Sequence, residues 1–370
     1  MLKRKDRRML KEIETRGRRA LVKYLLSRFQ PERVLRKIPP DAELKRILLM
    51  RWDAIGDMMV SLPFFRKVRD LFPDAETGIV VSRRNLPLLK YEKGFSTILY
   101  DSNPATYARS LILARRFRPD VVVDTRMHYD STTSFIYGVI SGASWSLSAS
   151  NRDNRLPFSV RVPIPAGKHH YAYLTGILLE GLGKKIDDTD LDRKLILSSE
   201  ETGFSNAFWR KAGLNLRNRA IGVNISAGNP SRIWGTHDTA DLCSFIVSTG
   251  NVPLVFSTPG DRNKAASISE AVPGTLLIPE CRTILHAAAL VTNLKMLITP
   301  DTALVHIASS CKVPVLGLFP QREGHMPLWF PWRDDYELVR TNTERIEDIP
   351  LKDVTDAYTK LLARISSELQ

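Results

Sequence analysis

The stretch Ile47-Leu48-Leu49-Met50-Arg51-Trp52-Asp53-Ala54-Ile55-Gly56-Asp57 decides the fold. Its apolar run has the length of a strand buried on both faces. A short polar loop follows. From Met58 to Leu71, apolar residues recur at helical spacing (Met59, Leu62, Phe65, Val68). This is a strand–loop–helix unit of a parallel sheet. Working outward, Gly78–Val81 and Asp120–Asp124 read as further strands, and Ala108–Phe117 as a helix. Residues 141–168 are rich in Ser, Asn, Arg and Pro and read as loops, and Tyr171–Leu182 reads as a helix. The polar, acidic stretch Gly183–Asp192 reads as a linker. The rhythm then resumes with strands at Ile221–Asn224, Pro253–Phe256, Met296–Ile298 and Val313–Phe319. Helices are expected at Thr239–Ser248, Thr283–Leu290, Thr302–Ser310 and Leu351–Ile365.

The expected class is therefore α/β, with two Rossmann-like domains whose parallel sheets face a cleft. A chain of 370 residues suits two domains. The expected division is a basic amphipathic helical arm over 1–40, an N-terminal domain over 41–190, a C-terminal domain over 191–350 and a closing helix over 351–370.

Lys and Arg total 54 against 40 Asp and Glu, a net charge of +14. The first 37 residues hold 14 basic and four acidic residues, a net +10, which leaves +4 for the other 333. The arm has no continuous apolar core of the kind a secretory signal needs. Leu10, Ile13, Ala20, Leu21, Tyr24 and Leu25 fall near helical spacing among Lys and Arg. Two readings stay open: a helix on an anionic inner-membrane surface through residues 1–37, or a helix packed on the body with a solvated basic face. No RRM, KH or zinc-finger pattern occurs, so nucleic acid is not an expected partner. No apolar run approaches the ~20 residues that span a bilayer. Cys243, Cys281 and Cys311 are too few and scattered for a disulfide framework or a CxxC zinc site. The expected location is cytoplasmic, peripheral on the inner face of the cytoplasmic membrane.

Ligands of open parallel sheets bind beyond the carboxyl ends of the strands, so the loops after strands carry the candidates. In Asp53–Asp57, Gly56 permits a tight turn or close approach. Asp57, at the start of a helix, can accept a proton from an attacking hydroxyl, or serve only as a first-turn acid. In Thr299–His306, a strand feeds a helix whose free amides suit phosphate oxygens. Asp301 there is a good N-cap, Thr302 offers a hydroxyl, and His306 lies one turn on, either as a ligand or as a core histidine. In Asn224–Trp234, Ser226 and the loop amides suit a phosphate and Arg232 supplies a cation, or the loop is plain surface. No P-loop, GxGxxG, HExxH or GxSxG motif occurs. Asp187–Asp192 has acidic-x-acidic spacing, but it sits in the linker and reads as a solvated loop.

Taken together, these loops resemble glycosyltransferase family 9, the ADP-heptose:lipopolysaccharide heptosyltransferases. The resemblance runs through Ala54-Ile55-Gly56-Asp57, Ser61-Leu62-Pro63, Leu71–Ala75, Asp120–Asp124, Ser226–Trp234, Asp301-Thr302 with His306-Ile307-Ala308, and Val313–Phe319, covering roughly 46–365. It implies a GT-B fold and an inverting mechanism. The acceptor would lie on the N-terminal domain, beside Gly56, and the nucleotide-sugar on the C-terminal one. Carried over, Asp57 is the general base. Ser226, Arg232, Asp301, Thr302, Ala303 and His306 form the donor side. The donor is expected to be ADP-linked and to act as substrate, with no cofactor and no obligatory metal. The acceptor is expected to be a glycolipid or glycan of lipopolysaccharide type. Arg232 stands where the family usually has Lys, Ala303 where it has Gly, Gly235 where Pro is frequent and Pro320 where Gly is. These departures bear on donor identity. A nucleotide-sugar epimerase, or a non-catalytic binding protein, on the same fold is the alternative.

Overall fold

In a computed structural model of the chain, the run that opens the sequence argument forms the centre of a six-stranded parallel sheet. The structure describes residues 20, 23–127, 131–150, 156–167, 169–185, 191–321, 328–332 and 335–367. The first domain contains β1 (Arg46–Met50), α1 (Ile55–Leu71), β2 (Glu76–Ser82), β3 (Phe95–Tyr100), α2 (Pro104–Phe117), β4 (Val121–Asp124), α3 (Thr132–Ser141), β5 (Trp145–Ser150), β6 (Val160–Pro163), α4 (Tyr171–Gly176) and α5 (Leu178–Gly181). Its strand order is β3-β2-β1-β4-β5-β6. Successive strand residues point to opposite faces. Ile47, Leu49, Ile79, Val81 and Val123 join the core that α1 covers. Leu48, Met50, Val80 and Val122 join a core closed by Ala114 of α2 and Tyr137 of α3. Burial on both faces explains why these strands are apolar runs rather than alternating ones.

The second domain contains α6 (Ser199–Ala212), β7 (Ala220–Asn224), α7 (Thr236–Ser248), β8 (Val252–Phe256), α8 (Arg262–Ala271), β9 (Leu276–Leu277), α9 (Ile284–Val291), β10 (Met296–Pro300), α10 (Ala303–Ser310), β11 (Val315–Phe319), β12 (Tyr336–Arg340) and α11 (Leu351–Ser367). The order β12-β11-β10-β7-β8-β9 repeats the topology of the first sheet. Both are doubly wound sheets, and in each the strand order reverses at one point: between β1 and β4, and between β7 and β10. Val354, Tyr358 and Leu361 of α11 are buried in the second domain's core. The domains meet where α1 packs on α10.

Several expectations need correction. Residues 141–168, read as loops, contain β5 and β6. The sequence Trp145-Ser146-Leu147-Ser148-Ala149-Ser150 has a loop's composition but a strand's alternation, with Leu147 and Ala149 buried. Tyr171–Leu182 is two short helices broken after Gly176. β12 follows the strand expected to be last. It is an edge strand with a half-exposed pattern that dilutes its apolar signal. β3, α3, α6, α8 and β9 also lay outside the expected set.

Most of the arm, and residues 187–190 of the acidic run, lie outside the described residues. The described part of the arm packs on the first domain. Leu25 is buried with Phe135, Ile136 and Phe158. The Leu35 amide donates to the Ser159 carbonyl (2.9 Å), and the Arg161 amide donates to the Leu35 carbonyl (2.8 Å). No helix among the described residues is long and apolar enough to cross a membrane.

Candidate active site

The two points of strand reversal carry the three loops singled out in the sequence. In the first domain, β1 delivers Arg51 into the interior with only 1% exposure. Its Nε donates to Ser61 Oγ (2.9 Å) and its Nη2 to the Thr125 carbonyl (2.8 Å). A guanidinium so buried is tolerated because it is paired and hydrogen-bonded. Its Nη1 reaches Asp53 Oδ2 at 3.1 Å and Asp57 Oδ1 at 3.7 Å. Arg126, from the loop after β4, holds Asp53 from the other side (3.4 Å) and lies over the Trp52 ring.

Asp57 is the third residue of α1, and its Oδ2 accepts from the Ala54 amide (3.3 Å). It is thus a first-turn acid and, at the same time, a partly exposed carboxylate. Burial, then the like charge of Asp53, push its pKa up to about 6, against the pull of Arg51. A base with that pKa is deprotonated at neutral pH and still has affinity for a proton.

In the second domain, Asn224 at the end of β7 knits two loops together. Its Nδ2 donates to the Ser226 carbonyl (3.1 Å), to Thr299 Oγ1 (3.0 Å) and to Thr302 Oγ1 (3.3 Å). Ser226 is nearly buried, and its hydroxyl donates to Asp261 Oδ2 (2.7 Å) while accepting from the Thr258 amide (2.9 Å). Its hydroxyl is therefore a brace of the loop. The hydrogen bond from Ser226 holds the Asp261 carboxyl below its usual range. Thr302, not Asp301, is the N-cap of α10, and its Oγ1 accepts from the Leu304 amide (3.3 Å). Asp301 is engaged elsewhere. Arg232 Nη1 donates to its carbonyl (3.0 Å) and pairs with its Oδ2 (3.1 Å). Arg232 Nε is buried with no partner. An orphaned charged donor beside a helix N-terminus fits an anion, and the helix dipole adds to the attraction. A recess of about 590 Å³ opens beside the loop after β9, lined by Glu200, Phe204, Glu280, Arg282 and His286.

The two walls touch. A Cβ on Gly56 would come 3.3 Å from His306 Cδ2 and 3.5 Å from Ala303 Cα. Only a glycine gives the starts of α1 and α10 this approach with room to spare. His306, expected among the donor ligands, has its ring in the domain seam, stacked on Trp332 (5.6 Å) and 6.0 Å from His170. It is 2% exposed, and burial pushes its pKa down to about 3, so it is neutral. Across the same seam Tyr171 stacks on Trp329 (4.3 Å), and its amide donates to the Leu328 carbonyl (2.9 Å).

Gly56, Asp57, Arg232, Asp301, Thr302 and Ala303 thus come to one cleft, with Ser226 and His306 behind it. Arg51, Asp53, Asn224 and Asp261 were not anticipated. Arg51 and Asp53 stood in the quoted stretch, but nothing local marks which polar residues fold inward. Among the described residues, no group of three or more His, Cys, Asp or Glu is placed to hold a metal.

Paired doubly wound sheets, a carboxylate on one wall and a cation with a helix N-terminus on the other define a GT-B glycosyltransferase. Residues 174–358 match the model of glycosyltransferase family 9 (heptosyltransferase), and the chain belongs to that family. It is 21% identical to lipopolysaccharide heptosyltransferase 3 of Escherichia coli, over 83% of this chain and 96% of the relative. Among solved structures it is similar to a family 9 glycosyl transferase from Veillonella parvula (TM-score 0.72, 19% identity, 86% of this chain, 98% of that one). It is also similar to the E. coli ADP-heptose lps heptosyltransferase II (TM-score 0.67, 18% identity, 86% and 99%). A solved UDP-GlcNAc 2-epimerase superposes less closely.

Proposed function

We propose that this glycosyltransferase moves a heptose from an ADP-linked donor to a lipopolysaccharide-type glycan, with inversion at the anomeric carbon. The observation that carries the reading is the opposition of Asp57 to Arg232 and the start of α10 across a seam closed at Gly56. The donor diphosphate would meet Arg232 Nε and the first amides of α10. The acceptor hydroxyl would give its proton to Asp57 as its oxygen bonds to the anomeric carbon. The bond from that carbon to the diphosphate oxygen breaks on the opposite face, and the leaving diphosphate keeps the electron pair. Preorganised donors aimed at that growing charge do the work a divalent metal does in other transferases. Trp52, Arg83, Arg84 and Arg126, at the ends of β1, β2 and β4, offer the acceptor a cationic and aromatic wall suited to an anionic glycan. The net +10 of residues 1–37 suits an anionic inner-membrane surface that carries such an acceptor. The places of action in this reading are the cytoplasm and that surface.

A thermal-shift screen with ADP-, GDP-, UDP- and dTDP-sugars tests the donor. An ADP-sugar should raise the melting temperature most, since a ligand of the native state alone stabilises it. Transfer should persist in EDTA. Turnover lost in EDTA and restored by a divalent ion, or isomerisation of the donor without an acceptor, would replace this reading.

The acid limb of the pH profile follows from Asp57. Protonation removes the base, so kcat/KM should fall as pH drops through about 6. Asp53→Asn removes the like charge and releases Arg51 and Arg126 toward Asp57. Both effects favour the carboxylate, so the limb should move to lower pH. A limb that stays in place would show that Asp53 does not set the base.

A further inference from the structure

The positive charge of the body gathers in acid-free segments, one of them on the first domain. After residue 37 the chain carries only +4. Residues 104–118 contain Arg109, Arg115, Arg116 and Arg118 and no acid. All four arginines are exposed. Arg109, Ile112 and Arg116 follow at helical spacing along α2 and form one outward face. Ile112 is 54% exposed.

The same side of the first domain collects exposed apolar side chains. Of the eight large ones among the described residues, Tyr24, Phe29, Val34, Ile112 and Ile140 lie on the segment 24–34, α2 and α3. Leu25 explains why they gather. Its side chain is buried with Phe135 and Ile136 of α3, and Leu26 and Leu111 pack on the same cluster. The helical turn around Leu25 is thereby clamped on α2 and α3, and Tyr24, 62% exposed, and Arg28 are left outside. These helices cover the sheet face opposite α1, the helix that meets the second domain; the segment around Leu25 packs over α3, most of which is buried, so the outward surface here is α2 with the segment 24–34. A line of rings leads from this layer to the base: Tyr107 of α2 to Tyr100 (5.7 Å), and Tyr100 to Trp52 (5.4 Å), beside Asp53.

We propose that the outer face of the first domain, formed by α2, the Ile140 end of α3 and residues 23–37, is a docking surface for an anionic lipid bilayer that acts without residues 1–19. Arginines meet the headgroups while Tyr24, Phe29 and Ile112 enter the interface, the division of labour seen in interfacial helices. α2 and α3 carry no acidic residue, and residues 23–37 carry one, Glu32, against Lys23, Arg28, Arg33, Arg36 and Lys37. This deepens the reading of a membrane-borne acceptor. In this reading the rings of Tyr107, Tyr100 and Trp52 run from the bilayer side toward Asp53 at the cleft.

The test is co-sedimentation of the full chain with phosphatidylcholine vesicles, with and without phosphatidylglycerol. The Arg109→Glu/Arg116→Glu variant should bind the anionic vesicles at least about tenfold more weakly, since one basic residue near such a surface is worth roughly fivefold. Arg210→Glu/Lys211→Glu on α6 makes the same charge change elsewhere and should bind like the wild type. A chain lacking residues 1–19 should keep part of its salt-sensitive binding. All variants should retain the wild-type melting temperature and, with a water-soluble acceptor, the wild-type kcat. Wild-type binding by the α2 variant would overturn the proposal and leave the arm as the tether. No binding by the wild type would overturn the membrane reading as well, and tighter binding to single-stranded RNA than to anionic vesicles would replace it.

Discussion

Asp57→Asn should abolish transfer and leave donor binding nearly intact. Asparagine keeps the size of the side chain, and its oxygen can still accept from the Ala54 amide, so the start of α1 is preserved. What it removes is the proton acceptor. General-base catalysis is worth roughly 10²–10⁴-fold. The fall should appear in kcat, with the thermal shift by the nucleotide-sugar unchanged, because the proposed donor wall belongs to the other domain. Loss of one charge also ends a repulsion with Asp53, so the variant should be no less stable than the wild type. Full turnover by Asp57→Asn would refute the base assignment, and a lost donor shift would show that Asp57 belongs to the donor site.

The second large effect is expected at Arg232. Arg232→Ala removes the unpartnered Nε and also strips Asp301 of its cation. The diphosphate would then face an uncompensated carboxylate at the start of α10. Removing one donor from a preorganised anion site costs on the order of 10²–10³-fold in kcat. Donor affinity should fall too, because the ground-state diphosphate is already anionic. Arg232→Lys should recover most of the activity: a lysine keeps the charge, and it is the residue the family pattern carries here. Equal kcat and KM for Arg232→Ala and the wild type would mean that Arg232 serves only as a brace for Asp301.

The outcomes at single residues show what local sequence can carry. The loop Asp53–Asp57 was legible because a buried strand and an amphipathic helix bracket it, and ligands gather at such junctions. The same logic found Arg232 and the Asp301–Ala303 turn. It misassigned the cap, since Asp301 and Thr302 are both good N-caps and only the ion pair with Arg232 removes Asp301 from that role. His306 was expected toward the donor because it follows Thr302 by one turn. The seam with Trp332 and His170 takes its ring instead. β5 escaped notice because serines occupy three of its six positions, one of them fully buried.

The charge of the arm was also legible, as a count along the chain. The basic face of α2 was not, because four arginines without an acid read as an ordinary solvated helix. They gain meaning beside Tyr24 and Phe29, which lie some eighty residues earlier and are held there by Leu25.

The sequence by itself therefore determined the two βα domains and singled out the loops that lie at the points of strand reversal. Those features rest on periodicity and turn residues, which act between near neighbours. The tertiary structure alone decided that Asp53 and Asp57 share Arg51, that Asp301 holds Arg232, and that a glycine lets the two walls touch. Each of these is an electrostatic or steric relation across space, and neither charge nor excluded volume depends on distance along the chain.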